Sequence, residues 1–211
     1  MDVQANNPII LAVIAVLIIG LIFFIQSSQN PPTDQPIQTI TIDKTGFQIA
    51  PDLQGIKGYI NTDETISLAN LKGKVVLIDF WTYSCINCIR TLPYLTDWDA
   101  KYRDDGLVII GVHSPEFEFE KEYDNVLKAV QDNGIEYAVV QDNAFVTWRA
   151  YQNRFWPHKF LIDSEGYIRY DHIGEGNYDV TESMIVKLLK ERDASVVMDD
   201  AKIIVEGTDF S

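Results

Sequence analysis

The residues best placed to do chemistry are Cys85 and Cys88, the only two cysteines of the 211-residue chain, held in one Cys-Ile-Asn-Cys run. Disulfide exchange needs a thiolate at neutral pH and a second thiol close enough to release the mixed disulfide the first one forms. A C-x-x-C that opens a helix supplies both. Cys85 falls where unpaired backbone N–H groups and the positive end of the helix dipole favour an anion. Cys88 lies one turn later, within reach of the same sulfur. Cys85 is therefore assigned as the attacking thiol and Cys88 as the resolving one, and the cofactor is the pair itself, a redox-active disulfide. Half of a zinc site is the competing reading. His113, His158 and His172 show no H-x3-5-H spacing, so no metal is expected.

Asp79 is the second anomaly, since a carboxylate inside the apolar run Val75-Val-Leu-Ile-Asp-Phe-Trp81 costs several kcal/mol unless it is paired or protonated. Six residues before Cys85, it would sit under the active-site helix, where a raised pKa suits proton transfer at the resolving thiol. A strand-end acid that reaches solvent is the plainer alternative. Trp81, Tyr83 and Trp156 are candidates for an apolar rim that docks a partner peptide, with core packing an equal reading of Trp81. Pro157, after Trp156, is a candidate cis peptide, and Pro93 inside the helix is expected to kink it. His158 reads as a polar edge residue and is left out of catalysis. The run Glu116 to Glu122 (EFEFEKE) reads as a solvated charged face before it reads as a partner surface.

The elements that must position these groups follow from periodicity. Val75–Trp81 is a continuous β-branched and aromatic run, as in a central strand covered on both faces. Ile89, Leu92, Leu95, Trp98 and Tyr102 then recur at helical spacing, closed by Asp104-Asp-Gly106. Strands are expected at Leu107–Val112 and Tyr137–Val140, with a helix carrying Val126, Leu127 and Val130 between them. A short helix should cover 144–151. A hairpin is expected from Phe160–Ile162 and Tyr167–Ile173, and a final helix over Val180–Glu191. Such alternation describes an α/β sheet with helices on both sides. Upstream, Ile40 and Ile42, the Pro51-Asp52 turn and Thr65-Ile-Ser-Leu68 suggest an N-terminal hairpin extension.

The net charge of −14 argues against nucleic acid as a partner, because phosphate binding requires clustered Lys and Arg. Ile9 to Ile25 is apolar all round, as a bilayer span must be and a soluble helix is not. With no basic n-region and no small-residue cleavage motif, it reads as an uncleaved anchor. Gln26 to Pro36 is polar and proline-rich, a spacer. The expected division is a tail 1–8, an anchor 9–25, a linker 26–38, a redox domain 39–192 and a tail 193–211, in which Ile203-Ile-Val205 could add an edge strand. No basic residue precedes the span and only Lys44 lies within reach after it, so charge does not fix the orientation.

The stretches VVLIDFWTYSCINCIRTLPYL, IIGVHSPEFEFEKE, WRAYQNRFWPHKFLIDSEGYIRY and GEGNY together resemble the thioredoxin superfamily, in its TlpA/ResA-like membrane-anchored branch and the DipZ-type C-terminal redox domain, over about 50–189. The resemblance implies a thioredoxin-like fold with a central strand-helix insertion between about Gly111 and Tyr151. It places the redox cysteines at Cys85 and Cys88, the buried acid at Asp79, the helix proline at Pro93 and the cis-proline at Pro157, so that Trp156 flanks the docking groove. It also implies protein thiols and disulfides as partners, and a domain acting outside the cytoplasm. The Ile86-Asn87 dipeptide departs from the Gly-Pro of thioredoxin, leaving the direction of electron flow open. No polytopic electron carrier is part of this sequence, so a separate membrane partner would have to exchange electrons with it. A copper-delivering chaperone using the same thiolates, with His158 as a third ligand, is the second reading. A peroxidase is the third: Thr82 stands three residues before Cys85, but without the accompanying proline.

Overall fold

The structure, a computed structural model, describes residues 8–28 and 43–193. Ile40 and Ile42, most of the expected linker and the tail with Ile203–Val205 lie outside these residues. The chain divides into two units, Met1–Asp43 and Lys44–Ser211.

In the first unit, α1 spans Pro8–Ser28 and covers the whole expected anchor. It runs three residues into the segment assigned to the linker, because Gln26, Ser27 and Ser28 tolerate helix and the first prolines come only at Pro31 and Pro32. Its side chains are described at Ile9 and over 12–24, where they are exposed and apolar. Among the described residues, no helix is long and apolar enough to cross a membrane.

The second unit is built on β1 (Tyr59–Ile60), β2 (Val75–Trp81), α2 (Ile86–Tyr102), β3 (Leu107–His113), α3 (Tyr123–Asp132), β4 (Ala138–Gln141), α4 (Val146–Ala150), β5 (His158–Ile162), β6 (Ile168–Ile173) and α5 (Tyr178–Arg192). The strands form one sheet in the order β1-β4-β3-β2-β5-β6. β2, β3 and β4 are parallel, whereas β5, β6 and β1 run antiparallel to their neighbours. β2 lies at the centre and every one of its residues is buried, as its uninterrupted apolar run predicts.

Alternation along β2 sends its side chains into two separate cores. Val75, Leu77 and Trp81 pack with Leu92, Leu95 and Trp98 of α2, with α3 and with Ile185, Leu188 and Leu189 of α5. Val76, Ile78 and Phe80 pack with Phe160, Trp148 and Tyr151 on the other side. Asp79 takes its place on the α2 side by this alternation. The expected strand-helix insertion is present as α3 and β4. Pro93 sits inside α2, which runs through it as one α-helix.

The N-terminal hairpin is not formed among the described residues. β1 instead pairs with β4, Ile49 bridges Tyr167, and the Ala50 amide donates to the Gly166 carbonyl at 2.9 Å. The extension thus uses the sheet's edge and its last turn in place of a partner of its own. Thr65–Leu68 is not a strand. The Asp63 carboxylate accepts from the Thr65 amide at 2.9 Å and from its hydroxyl, a local turn that outcompetes a ladder.

Candidate active site

The turn Thr82–Ser84 carries the chain from β2 into α2, and the Cys85 amide closes it on the Thr82 carbonyl at 3.3 Å. Cys85 is the N-cap of α2, with extended backbone (φ −76°, ψ 111°), and its Sγ accepts from the Cys88 amide at 3.2 Å. A thiolate there takes the capping place usually filled by a hydroxyl or carboxylate oxygen. The Cys85 thiol is accordingly lowered to about 7, first by its hydrogen bond with Cys88 and then by the Cys88 and Asn87 amides, which together outweigh partial burial.

Cys88 has the opposite environment. It is 1% exposed, and burial, followed by its hydrogen bond to Cys85, pushes its thiol far upward. Both cysteines are free thiols. One sulfur is therefore accessible and ionised near neutrality, while the other is enclosed and protonated until something removes its proton. This is the division of labour expected of an attacking and a resolving thiol.

Asp79 is fully buried, and burial pushes its carboxyl up to about 7 against the opposing field of Lys159. Oδ1 has no hydrogen-bond partner. Asp79 is coupled electrostatically to both thiols, since Asp79 contributes to the rise of the Cys88 thiol and Cys85 to that of Asp79. A carboxyl that gains and loses its proton near pH 7 beside a thiol that must lose one is suited to general base work. Solvent does not reach it, which discards the strand-end alternative.

Lys159 is a site residue that the sequence reading missed. It is directly opposite Asp79 in the β2–β5 register, 1% exposed, with its ammonium donating to the Gly174 carbonyl at 3.1 Å. Burial lowers its pKa, while Asp79 and Cys88 raise it. A lysine inside the apolar run His158-Lys-Phe-Leu-Ile162 was the same kind of signal as Asp79 in its own strand. Gly111, facing Asp79 from β3, leaves the space that Trp81 fills: a Cβ there would lie 2.9 Å from the Trp81 indole nitrogen.

The other expected residues separate. The Trp156–Pro157 bond is cis. Trp156 is half-buried, packs against Trp148 with centroids 4.3 Å apart and donates from its indole nitrogen to the Ser114 carbonyl at 3.0 Å. Tyr83 and Trp156 both border the core cluster that contains Cys88. Trp81 does not belong to a rim. It is wholly enclosed and serves the core, because alternation points it inward under α2. His158 is not an edge residue either: it is buried on the opposite side of the sheet, against Phe160 and between Asn153 at 2.7 Å and Asp171 at 3.0 Å. It is thus turned away from the thiols that a third copper ligand would have to join.

The charged run 116–122 is only partly a solvated face. Glu120 is completely buried and accepts from the Ser84 hydroxyl at 2.5 Å and from the amides of Glu116 at 2.5 Å and Phe117 at 2.9 Å. These bonds, with one from Thr82, hold its carboxyl below the usual range despite burial. The side chain ties the 116–120 loop to the turn before Cys85. His113, also buried, is pushed down to about 4 by burial and stays neutral, with Nε2 3.3 Å from the Thr82 hydroxyl and its ring stacked on Tyr83.

Comparison with known proteins fits this geometry. The AhpC/TSA family profile matches residues 48–171. Protein DipZ of Mycobacterium tuberculosis (strain CDC 1551 / Oshkosh) is 50% identical over 144 residues, which are 67% of this chain and 21% of that protein. The chain thus spans about a fifth of that relative's length. The thiol-disulfide oxidoreductase YkuV of Bacillus subtilis is 26% identical over 68% of this chain and 96% of its own. Among solved structures, the thioredoxin-like superfamily protein SPOA0173 superposes with a TM-score of 0.62 at 27% identity, covering 67% of this chain and 96% of that one.

Proposed function

The chain belongs to the AhpC/TSA family and has a thioredoxin-like fold; from that premise we propose that it is a thiol-disulfide oxidoreductase that exchanges disulfides with partner proteins through Cys85 and Cys88 while tethered to a membrane. The observation that carries the exchange is the asymmetry of the two sulfurs, one capping α2 as a thiolate and the other buried beside Asp79.

In the reducing direction, the Cys85 thiolate attacks one sulfur of a partner disulfide. A Cys85–partner S–S bond forms, the partner's own S–S bond breaks, and one partner thiolate leaves. Asp79 then accepts the Cys88 proton, and the Cys88 sulfur attacks that of Cys85. The second partner thiolate departs, and the protein is left with a Cys85–Cys88 disulfide after giving two electrons to the partner. The reverse sequence oxidises a partner dithiol. Trp156, Pro157 and Tyr83 are assigned to holding the partner backbone beside Cys85, and Trp81 to supporting that surface from the core.

We assign the tether to the segment from Ile9 to Ile25, on the ground that its sequence is apolar on every side, as contact with lipid requires. The redox domain is assigned to the extracytoplasmic side, and a separate membrane protein to the supply or removal of its electrons. A C-terminal reporter active only in the cytoplasm should be silent; strong activity would reverse the orientation.

Cys88→Ser tests the exchange. The variant should accumulate mixed disulfides through Cys85 that reductant releases, and their identification names the substrates. Absence of trapped species when Cys85 is demonstrably free and reactive would overturn the reading.

A further inference from the structure

The surface beside Cys85 is apolar and acidic at once. Ile86, the first helical residue after the thiol, is exposed, as are Phe117 and Phe119, whose rings stack nearly parallel with centroids 5.5 Å apart. Phe119 continues the surface to Tyr83, at 6.2 Å between centroids, and its carbonyl accepts from the Tyr83 hydroxyl at 3.3 Å. Exposed aromatic side chains held in one stack by a buried carboxylate are unusual on a soluble surface unless something covers them. Here Glu120 fixes the loop that carries them to the active-site turn.

The same loop alternates these rings with carboxylates. Glu116, Glu118, Glu122 and Asp124 are exposed, against the single base Lys121, which is already paired with Glu118 at 2.5 Å. Arg90, on α2, is paired with Glu175 at 3.6 Å; Arg154, on the loop carrying Trp156, is the exposed base on the other segment bordering the site. The acidic side lies close enough to matter chemically, because Glu116 opposes ionisation of the Cys85 thiol. A second copy of this chain would bring the same carboxylates against these, and an anionic lipid surface would be repelled as well.

Resting on the exchange reading above, we propose that this surface docks a cationic, cysteine-bearing segment of a partner protein, with an apolar side chain of that segment seated on Phe117 and Phe119 and its basic flanks against Glu116, Glu118 and Glu122. The partner's positive charge then does two things. It draws the disulfide to the thiol, and it offsets the carboxylate that opposes formation of the Cys85 thiolate, so that the nucleophile strengthens as the right partner arrives.

The test uses the reduced full chain in detergent and three disulfides: the neutral reagent 4,4′-dithiodipyridine, and two disulfide-bonded peptides identical except for lysine or glutamate flanks. At low ionic strength the lysine-flanked peptide should react at least roughly 10-fold faster than its glutamate twin, and the ratio should fall towards one in about 0.5 M salt. Glu118→Gln with Glu122→Gln should shrink the ratio. Phe117→Ser with Phe119→Ser should slow both peptides, relative to each variant's own rate with the neutral reagent. Equal rates for the two peptides at low salt, with a normal reaction of dithiodipyridine, would overturn the docking proposal alone. No reaction with dithiodipyridine would remove the exchange reading on which it rests.

Discussion

The two faces of β2 are made by the same seven residues and have opposite physics. Towards α4, Phe80 meets Trp148, Tyr151 and Phe160 edge-on, with centroids 5.4 to 5.9 Å apart. That face is packed for stability. Towards α2, the strand presents Asp79, with Lys159 opposite it and an unpartnered carboxylate oxygen in a closed interior. That face holds its charges at a cost. The difference teaches that the sheet concentrates its instability where a proton has to move, and offsets it one residue away.

Phe80→Ala should produce the largest change, because it empties the dry face. A loss of about 3–5 kcal/mol in unfolding free energy is expected for such a cavity, measurable by denaturant titration, with the pH midpoint of Cys85 reactivity left near 7. A shifted midpoint would show that the two faces are not separable.

Asp79→Asn attacks the other face and should do the reverse. Release of a mixed disulfide by Cys88 should slow by about 10²-fold at neutral pH, followed by single-turnover kinetics. The folded protein should meanwhile become more stable. Since the folded carboxyl titrates at about 7 instead of near its ordinary 3.8, the native state binds more protons than the unfolded chain between those values. Wild-type stability from this group therefore falls as pH rises from about 4 to 7, and the advantage of the variant should be full above pH 7 and absent below about 4.

Lys159→Met sharpens the comparison, since the lysine's field holds Asp79 down. Its loss should move the pH dependence of the release step upward by about one unit, roughly a 10-fold change at a fixed pH on that limb. Glu120→Gln should act least, slowing attack by Cys85 about 3-fold through a looser turn. Ser84→Ala should act comparably, because it removes the hydroxyl that ties Glu120 to the same turn.

Much of this was legible in the chain. The central strand, α2 and the closing hairpin are carried by uninterrupted or strictly periodic apolar runs, and the Cys-x-x-Cys announces its own chemistry. Asp79 was visible as one wrong residue in an apolar strand. Lys159 was an identical signal, but it gains meaning only from the β5 register that sets it across from Asp79. Glu120 was hidden in an acidic run where local composition predicts solvent and only a tertiary contact with Ser84 buries it. Of the expected N-terminal hairpin, the described residues beyond Asp43 found partners elsewhere: the edge of β4 pairs with Tyr59–Ile60 and the turn after β5 accepts from the Ala50 amide, hydrogen bonds that a hairpin would have used.

The most direct measurement is the pH dependence of alkylation of the reduced protein by iodoacetamide, with each cysteine quantified by mass spectrometry. Cys85 should be modified first, with a midpoint near pH 7, while Cys88 stays protected well into the alkaline range. Equal modification of the two sulfurs with a common midpoint near that of an ordinary thiol would contradict the account.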